Sequence, residues 1–378
     1  MSLEDRLQAQ LNQRKAEGAF RTLTLPEGKF DFYSNDYLGF ARSPELHQAI
    51  LDEIQRLPAP NVGSTGSRLL SGNSDYLEKL EVRLAKFHQA EAGLLFNSGY
   101  DLNVGLLSAL PQRQDTVLYD QFVHASIRDG LRMGHAKSFG FRHNDVEHLR
   151  QKMKQAQGQV FIAVESVYSM DGDFAPLEDL VSFCEETGAV LIVDEAHGTG
   201  VFGAQGRGRV SELGLESKVF ARVHTFGKAL GTHGALVVGS AVLRNYLINY
   251  ARPFIYSTAL PVHSLVSIQC AYDLLERSPD CLEALRQRIR FFKSKLPPLS
   301  GTSFLDSSSA IQGVVIPGNE HVKAAATQLQ QEGFNLRPIL SPTVPKGKER
   351  IRICLHVHNT PEEIQGLLES IQKVLAIS

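Results

Sequence analysis

Between about residues 90 and 240, short apolar runs alternate with helix-like stretches. The runs occupy 92–96, 116–119, 160–164, 190–193, 219–225 and 235–238, and polar residues cluster just after them. Apolar runs of this length, bounded by turn residues, predict strands buried on both faces. Their alternation with helices predicts a mostly parallel sheet covered on both sides. In such sheets ligands gather beyond the carboxyl ends of the strands, which is where the polar clusters fall. Upstream, Leu3, Leu7 and Leu11 at a spacing of four predict a helix over 3–17. Residues 26–29 (Pro-Glu-Gly-Lys) read as a turn, and 30–33 alternate like a short strand. Ser43 followed by Pro44 predicts an N-cap with proline at the first helical position, opening a helix to about Arg56. A Gly/Ser-rich stretch at 63–68 leads to a helix over 75–88. Beyond Pro261 come long helical patterns to Lys295. A smaller α+β pattern follows, with strands near 311–316 and 351–355, a helix near 320–332 and a last helix from Thr360. The expected organisation is an N-terminal helix and strand segment (1–45), a large α/β domain (46–260), and connecting helices with a small C-terminal α+β domain (261–378).

Composition narrows the function classes. The chain has 378 residues, enough for two domains with large cores, with 43% hydrophobic and 21% charged residues. A formal net charge of −2 gives no basic field for nucleic acid or an anionic membrane. No apolar run approaches the roughly 20 residues needed to span a bilayer, and the first residues show no signal peptide. The four cysteines are scattered without a CxxC pair, which speaks against a structural zinc site or a disulfide framework. The expected setting is the cytoplasm, with no metal.

Candidate chemistry converges on two segments. Val190-Leu191-Ile192-Val193-Asp194-Glu195-Ala196-His197 reads as a buried strand with a carboxylate at its tip. About thirty residues on, Thr225-Phe226-Gly227-Lys228 places a lysine in a second turn. A lysine able to form a Schiff base and an acid able to keep a pyridine nitrogen protonated are the minimal set for pyridoxal phosphate chemistry. His197 lies three residues past Asp194, within reach of a ring oxygen. Asn97-Ser98-Gly99-Tyr100 opens a helix after a strand and offers N–H groups and a hydroxyl to a phosphate. His124, after another strand, is placed to stack on a ring, and Ser169 to reach a ring substituent. A nicotinamide-binding fold is the rival class, but no GxGxxG follows the first strand. A non-catalytic relative of a pyridoxal phosphate enzyme is a third reading; Lys228, Asp194 and His197 together oppose it.

From Ser34-Asn35-Asp36-Tyr37-Leu38-Gly39 to Arg350-Ile351-Arg352-Ile353, the chain resembles the α-oxoamine synthases. These are fold-type-I pyridoxal phosphate enzymes that condense an amino acid with an acyl thioester and lose CO2. The resemblance rests on Gly66-Ser67-Arg68-Leu69-Leu70-Ser71-Gly72-Asn73, Ser169-Met170-Asp171-Gly172-Asp173, the Asp194–His197 segment with Gly198-Thr199-Gly200, and Thr225-Phe226-Gly227-Lys228. It implies a homodimer with shared sites. Lys228 is implied as the cofactor-linked lysine, Asp194 as the pyridinium partner, His124 as the stacking ring and His197 as the contact to the phenolic oxygen. Ser98, Gly99, Tyr100, Ser169 and Thr225 are implied at the cofactor, and Thr258 at its phosphate from the partner subunit. Arg21, Asn35, His124, Thr343 and Arg352 are implied at the substrates, with Arg352 gripping the amino-acid carboxylate.

Phe141-Arg142-His143-Asn144-Asp145-Val146, Tyr256-Ser257-Thr258-Ala259-Leu260-Pro261, Ser309-Ala310-Ile311-Gln312 and Pro342-Thr343-Val344-Pro345 resemble the branch that joins L-alanine to a pimeloyl thioester. Branches using glycine or serine are the alternative. Two stretches depart from the family pattern, Gly231-Thr232-His233-Gly234 and Ile353-Cys354-Leu355-His356-Val357-His358, and both bear on the acyl pocket.

Overall fold

The computed structural model describes residues 1–23, 25, 29–58, 61–299 and 302–377. Three residues of the turn expected at 26–29 (26–28) lie outside that set. The first third of the chain forms α1 (Leu3–Ala16), β1 (Phe30–Asp31), α2 (Pro44–Arg56), α3 (Asp75–Phe87), β2 (Ala92–Phe96), α4 (Gly99–Ala109), β3 (Thr116–Asp120) and α5 (Ala125–Met133). The middle forms β4 (Lys137–Phe141), α6 (Val146–Met153), β5 (Val160–Glu165), α7 (Leu177–Thr187), β6 (Val190–Asp194), α8 (Arg209–Glu212), β7 (Ala221–Thr225), β8 (Ala235–Gly239), α9 (Ala241–Tyr250) and α10 (Arg252–Ile255). The last third forms α11 (Val262–Arg277), α12 (Pro279–Ser294), β9 (Ile311–Val315), α13 (Asn319–Gln331), β10 (Phe334–Asn335), β11 (Arg337–Ile339), β12 (Arg350–Cys354) and α14 (Pro361–Ile377).

These elements group into two compact units. The larger comprises 38–169 and 174–283, the smaller 1–37, 170–173 and 284–378. The larger unit holds a seven-stranded sheet in the order β2-β8-β7-β6-β5-β3-β4. Its β7-β6-β5-β3-β4 stretch is parallel throughout, and β8 runs antiparallel to both β7 and β2. Side chains alternate between faces along each strand. Phe161, Ala163, Ile192, Ala221 and Val223 therefore join one core, with Leu102, Leu106 and Ile127 from α4 and α5. Ile162, Val164, Leu191 and Val193 join the other, with Leu177, Leu180 and Phe183 from α7. The expected mostly parallel α/β architecture is what forms.

The caps follow the sequence closely. Ser43 caps α2 by accepting from the Leu46 N–H, with Pro44 next to it. Strand β4 is absent from the sequence expectation because Lys-Ser-Phe-Gly-Phe, on the sheet edge, opens with exposed Lys137 and Ser138 and forms no continuous apolar run. The strand expected over 30–33 stops at Asp31, whose carboxylate accepts the Tyr33 and Ser34 N–H groups and turns the chain. Helix α1 forms as expected, but Leu3, Leu7 and Leu11 stay exposed and the helix buries nothing.

In the smaller unit, β11, β12 and β9 form an antiparallel sheet, and β1 pairs with β10. Arg68 of the Gly66–Asn73 motif, in the larger unit, is anchored from below by α3. It pairs with buried Glu81, which also takes the Leu95 N–H at 2.8 Å and Arg244 at 2.9 Å.

Candidate active site

Extending the alternation past the strand tips puts Glu165, Asp194 and Thr225 on one face of the large sheet, at the ends of β5, β6 and β7. Asp194 is 4% exposed. The Ala196 N–H donates to its Oδ1 at 2.9 Å, and Asn103 of α4 donates to its Oδ2 at 2.7 Å. The other amide hydrogen of Asn103 goes to Ser126 Oγ at 3.0 Å, and Ser126 Oγ lies 2.8 Å from His124 Nδ1. The Ser126 main-chain N–H also donates to that nitrogen. With Nδ1 accepting, the neutral ring carries its proton on Nε2. Partial desolvation lowers His124 below the ordinary histidine value; Lys228 adds to this and Asp194 opposes it. The imidazole is thus held neutral, open to solvent on one side and fixed in orientation by Ser126.

The strand-end turn is rigid for identifiable reasons. Glu195 is fully buried and binds Ser166 Oγ at 2.6 Å, the Arg209 N–H at 3.0 Å and the Val210 N–H at 2.6 Å. Burial raises its carboxyl above the usual value, against those hydrogen bonds. Its carbonyl accepts from Gly198 N and Thr199 N, closing the turn that carries buried His197.

Lys228 stands in the β7–β8 connection and shares one electrostatic neighbourhood with Asp194, His124 and Glu165. Thr225 contacts the Ala196 carbonyl at 3.5 Å. Ser98 caps α4 through the Asp101 N–H, leaving the helix N-terminus turned to the strand ends. Gly99 is required there: a Cβ would lie 2.4 Å from Thr225 Cγ2. Tyr100 is half exposed and donates to Asp129 at 2.7 Å. Ser169 is half-buried just past β5. Thr258 is exposed, its carbonyl accepting from Asn97 Nδ2 at 2.9 Å in the same chain.

The structure therefore gathers Lys228, Asp194, His124, His197, Ser98, Gly99 and Thr225 in one unit. A flat ring with a cationic nitrogen and an anionic tail fits this donor set: a buried carboxylate fixed by two donors, an open imidazole face, and a helix N-terminus cleared by a glycine. Asn103 and Ser126 escaped the sequence reading. They lie on helices α4 and α5 among apolar neighbours, and only the strand pairing shows what they face.

The other expected residues lie in the smaller unit. Arg352 donates to Asn35 Oδ1 at 3.0 Å, an atom that also accepts from Tyr37 at 3.2 Å. Arg21 and Thr343 are exposed, outside regular elements. Of the departing histidines, His233 is exposed in the turn beyond Lys228, whereas His356 is fully buried. Asp31, His356 and His358 are the cluster with metal-ligand atoms among the described residues. His356 Nδ1 already faces Asn359 Oδ1 at 3.0 Å and Nε2 the Ser34 carbonyl at 2.9 Å, so both ring nitrogens are engaged by neighbouring protein groups. The arrangement is a packed polar cluster bracing β12.

Comparison with known proteins agrees with this geometry. Residues 27–371 match the model of aminotransferase class I and II, and the chain belongs to that family. Within it, an 8-amino-7-oxononanoate synthase of Emericella nidulans is 44% identical, covering 98% of this chain and 95% of that protein. One of Marinobacter nauticus is 37% identical, covering 96% and 95%. Among solved structures, a Sphingomonas wittichii serine palmitoyltransferase superposes with a TM-score of 0.88 at 26% identity, covering 99% and 98%. The 8-amino-7-oxononanoate synthase of Francisella tularensis superposes with 0.78 at 29%, covering 92% and 98%. The fold-type-I architecture and the α-oxoamine synthase resemblance both stand.

Proposed function

We propose that this chain is a pyridoxal 5'-phosphate-dependent acyltransferase. It condenses L-alanine with a pimeloyl thioester, with loss of CO2, to 8-amino-7-oxononanoate in biotin biosynthesis. The observation that carries the reading is the Asp194–Asn103–Ser126–His124 network beside Lys228, supported by full-length relatives of that name at 33–44% identity. Bound there, pyridoxal 5'-phosphate supplies an aldehyde for amine chemistry and a ring that draws electrons from the substrate α-carbon.

The residues divide the remaining work. Asp194, ionised and fixed by two donors, holds a proton on the ring nitrogen. His124 offers its neutral face to the ring and an Nε2–H toward the substrate side. His197 and Ser169 serve the phenolic oxygen. Ser98, Gly99, Tyr100 and Thr225, with Thr258, serve the phosphate. Lys228 provides the amine for the aldehyde; as a free amine, its Nζ takes the α-proton of alanine and later returns one to the product. Arg352, pre-oriented by Asn35, pairs with the alanine carboxylate, and Arg21 and Thr343 meet the acyl thioester. We assign the enzyme to the cytoplasm, consistent with four unpaired cysteines, as a homodimer with shared sites.

The test is to offer alanine, glycine and serine separately with pimeloyl, acetyl, succinyl and palmitoyl thioesters and measure product. Alanine with the pimeloyl thioester is expected to give the highest kcat/KM. A single methyl is worth about 1–3 kcal/mol, so glycine is expected to trail by about tenfold or more. Faster turnover of glycine or serine with another thioester would overturn the substrate assignment and leave the cofactor site intact.

A further inference from the structure

Glu165 is a buried carboxyl at the end of β5 with no part in the chemistry above. Its Cα pairs in register with that of Asp194, the rung between the ends of β5 and β6. Both side chains point to the same face, and Glu165 is 3% exposed. Two carboxyls paired on one rung of a dry sheet end oppose each other's ionisation. The hydrogen bonds decide which one ionises. Asp194 has a donor on each oxygen. Glu165 receives the main-chain N–H of His124, while its Oε1 is buried with no partner among the described residues. A buried anionic oxygen without a donor is far costlier than a neutral one.

The other charged groups around Glu165 are Lys228 in the β7–β8 connection and Asp120 at the end of β3. Lys228 favours its ionisation; Asp194 and Asp120 oppose it. Burial comes first among the influences and raises the carboxyl to about 8.

We propose that Glu165 is a positioning residue of this site, present as the neutral carboxylic acid, which fixes the main chain at His124 and leaves Asp194 the single anion on this side of the cofactor ring. The proposal rests on the cofactor site assigned above. It explains how a glutamate beside the ring-nitrogen partner avoids competing with it: Glu165 contributes an acceptor and a shape but no charge. His124 is then held from two sides, its ring by Ser126 and its main chain by Glu165.

The experiment compares parent, E165Q and E165A by infrared difference spectroscopy and by pyridoxal 5'-phosphate titration of the apo-protein. At neutral pH the parent should show a buried carboxylic-acid C=O band that is missing from E165Q and fades as pH rises through about 8. E165Q keeps the acceptor and the neutral charge, so its cofactor Kd should stay within about threefold of the parent. E165A strands the His124 N–H and should bind about tenfold more weakly. No acid band, or E165Q binding as weakly as E165A, would overturn the proposal. If E165A does not fold, the infrared comparison of parent and E165Q still decides. D194A and K228A run alongside: unchanged cofactor binding in both would refute the site itself, an outcome the infrared band does not depend on.

Discussion

The two faces of β7 carry two buried polar clusters built on opposite principles. On the Thr225 face, carboxyls, a lysine and a half-open histidine meet at the strand ends. On the other face, His224 stacks on His88 with ring centroids 3.7 Å apart, both fully buried. His88 Nε2 accepts from Tyr272 at 2.8 Å, and its Nδ1 donates to the Arg207 carbonyl at 3.2 Å. Thr199 donates to the Glu195 carbonyl, so His224 Nδ1 must donate to Thr199. Both imidazoles are thereby neutral, and burial pushes both below the ordinary histidine range, His88 to about 3. The same residue type keeps one side open among the strand-end carboxyls in one cluster and is sealed on every side in the other. The sealed pair also ties the Thr199 turn to β7, which carries Thr225 and leads to Lys228.

The comparison can be broken at either end. The largest effect is expected on the open face. K228A should abolish product formation while the circular-dichroism melt stays cooperative. D194A should cost at least about a thousandfold in kcat, or roughly 4 kcal/mol of transition-state stabilisation. An active K228A enzyme would remove the distinction between the faces.

On the sealed face, H88A should leave activity per folded molecule nearly intact but lower stability in urea by about 2–4 kcal/mol, through lost packing and the stranded Tyr272 hydroxyl. H224F should cost much less, within about 1.5 kcal/mol, because His224 Nε2 is buried without a partner among the described residues and an apolar ring removes that deficit.

Acid sharpens the contrast. Folded His88 stays neutral to about pH 3, whereas an unfolded histidine titrates near 6.5. Between those values the unfolded chain binds the extra proton. Stability should therefore fall as pH drops from 6.5, by about 3–5 kcal/mol in all, and much of that slope should vanish in H88F. The smallest effect is expected for S126A. It removes the hydroxyl from His124 Nδ1, leaving the Ser126 main-chain N–H as that nitrogen's donor, and should lower kcat/KM by about tenfold, with a change in the pH–rate profile and about 1 kcal/mol in stability.

What the sequence disclosed depended on whether a residue's role is local. Ser43 and Pro44 announce a helix start because capping is decided within four residues. The six buried strands were legible because burial on both faces leaves an apolar run. Edge strand β4 was not, since its Lys137 and Ser138 face solvent. Lys228 and Asp194 stood out because their turns are unusual in composition. Asn103, Ser126 and the register pairing of Glu165 with Asp194 are non-local facts that no spacing rule encodes. The packing of His356 against Ser34 and Asn359, beside the Cys354 N–H bond to the Phe32 carbonyl, is likewise non-local.

The segment bearing Lys228 is pinned at both ends. Phe226 N–H bonds the Gly234 carbonyl, Thr232 N–H the Phe226 carbonyl, and Gly231 N–H the Lys228 carbonyl, while Gly231 presses on Ala41 so closely that a Cβ would lie 2.2 Å from its nitrogen. An amine mounted on so short a bracket between two interior strands cannot travel with its backbone. In the role proposed for it, whatever distance it covers must come from rotations of its own four-carbon stem, so lengthening the bracket by even one residue should misplace the amine more severely than shortening the stem.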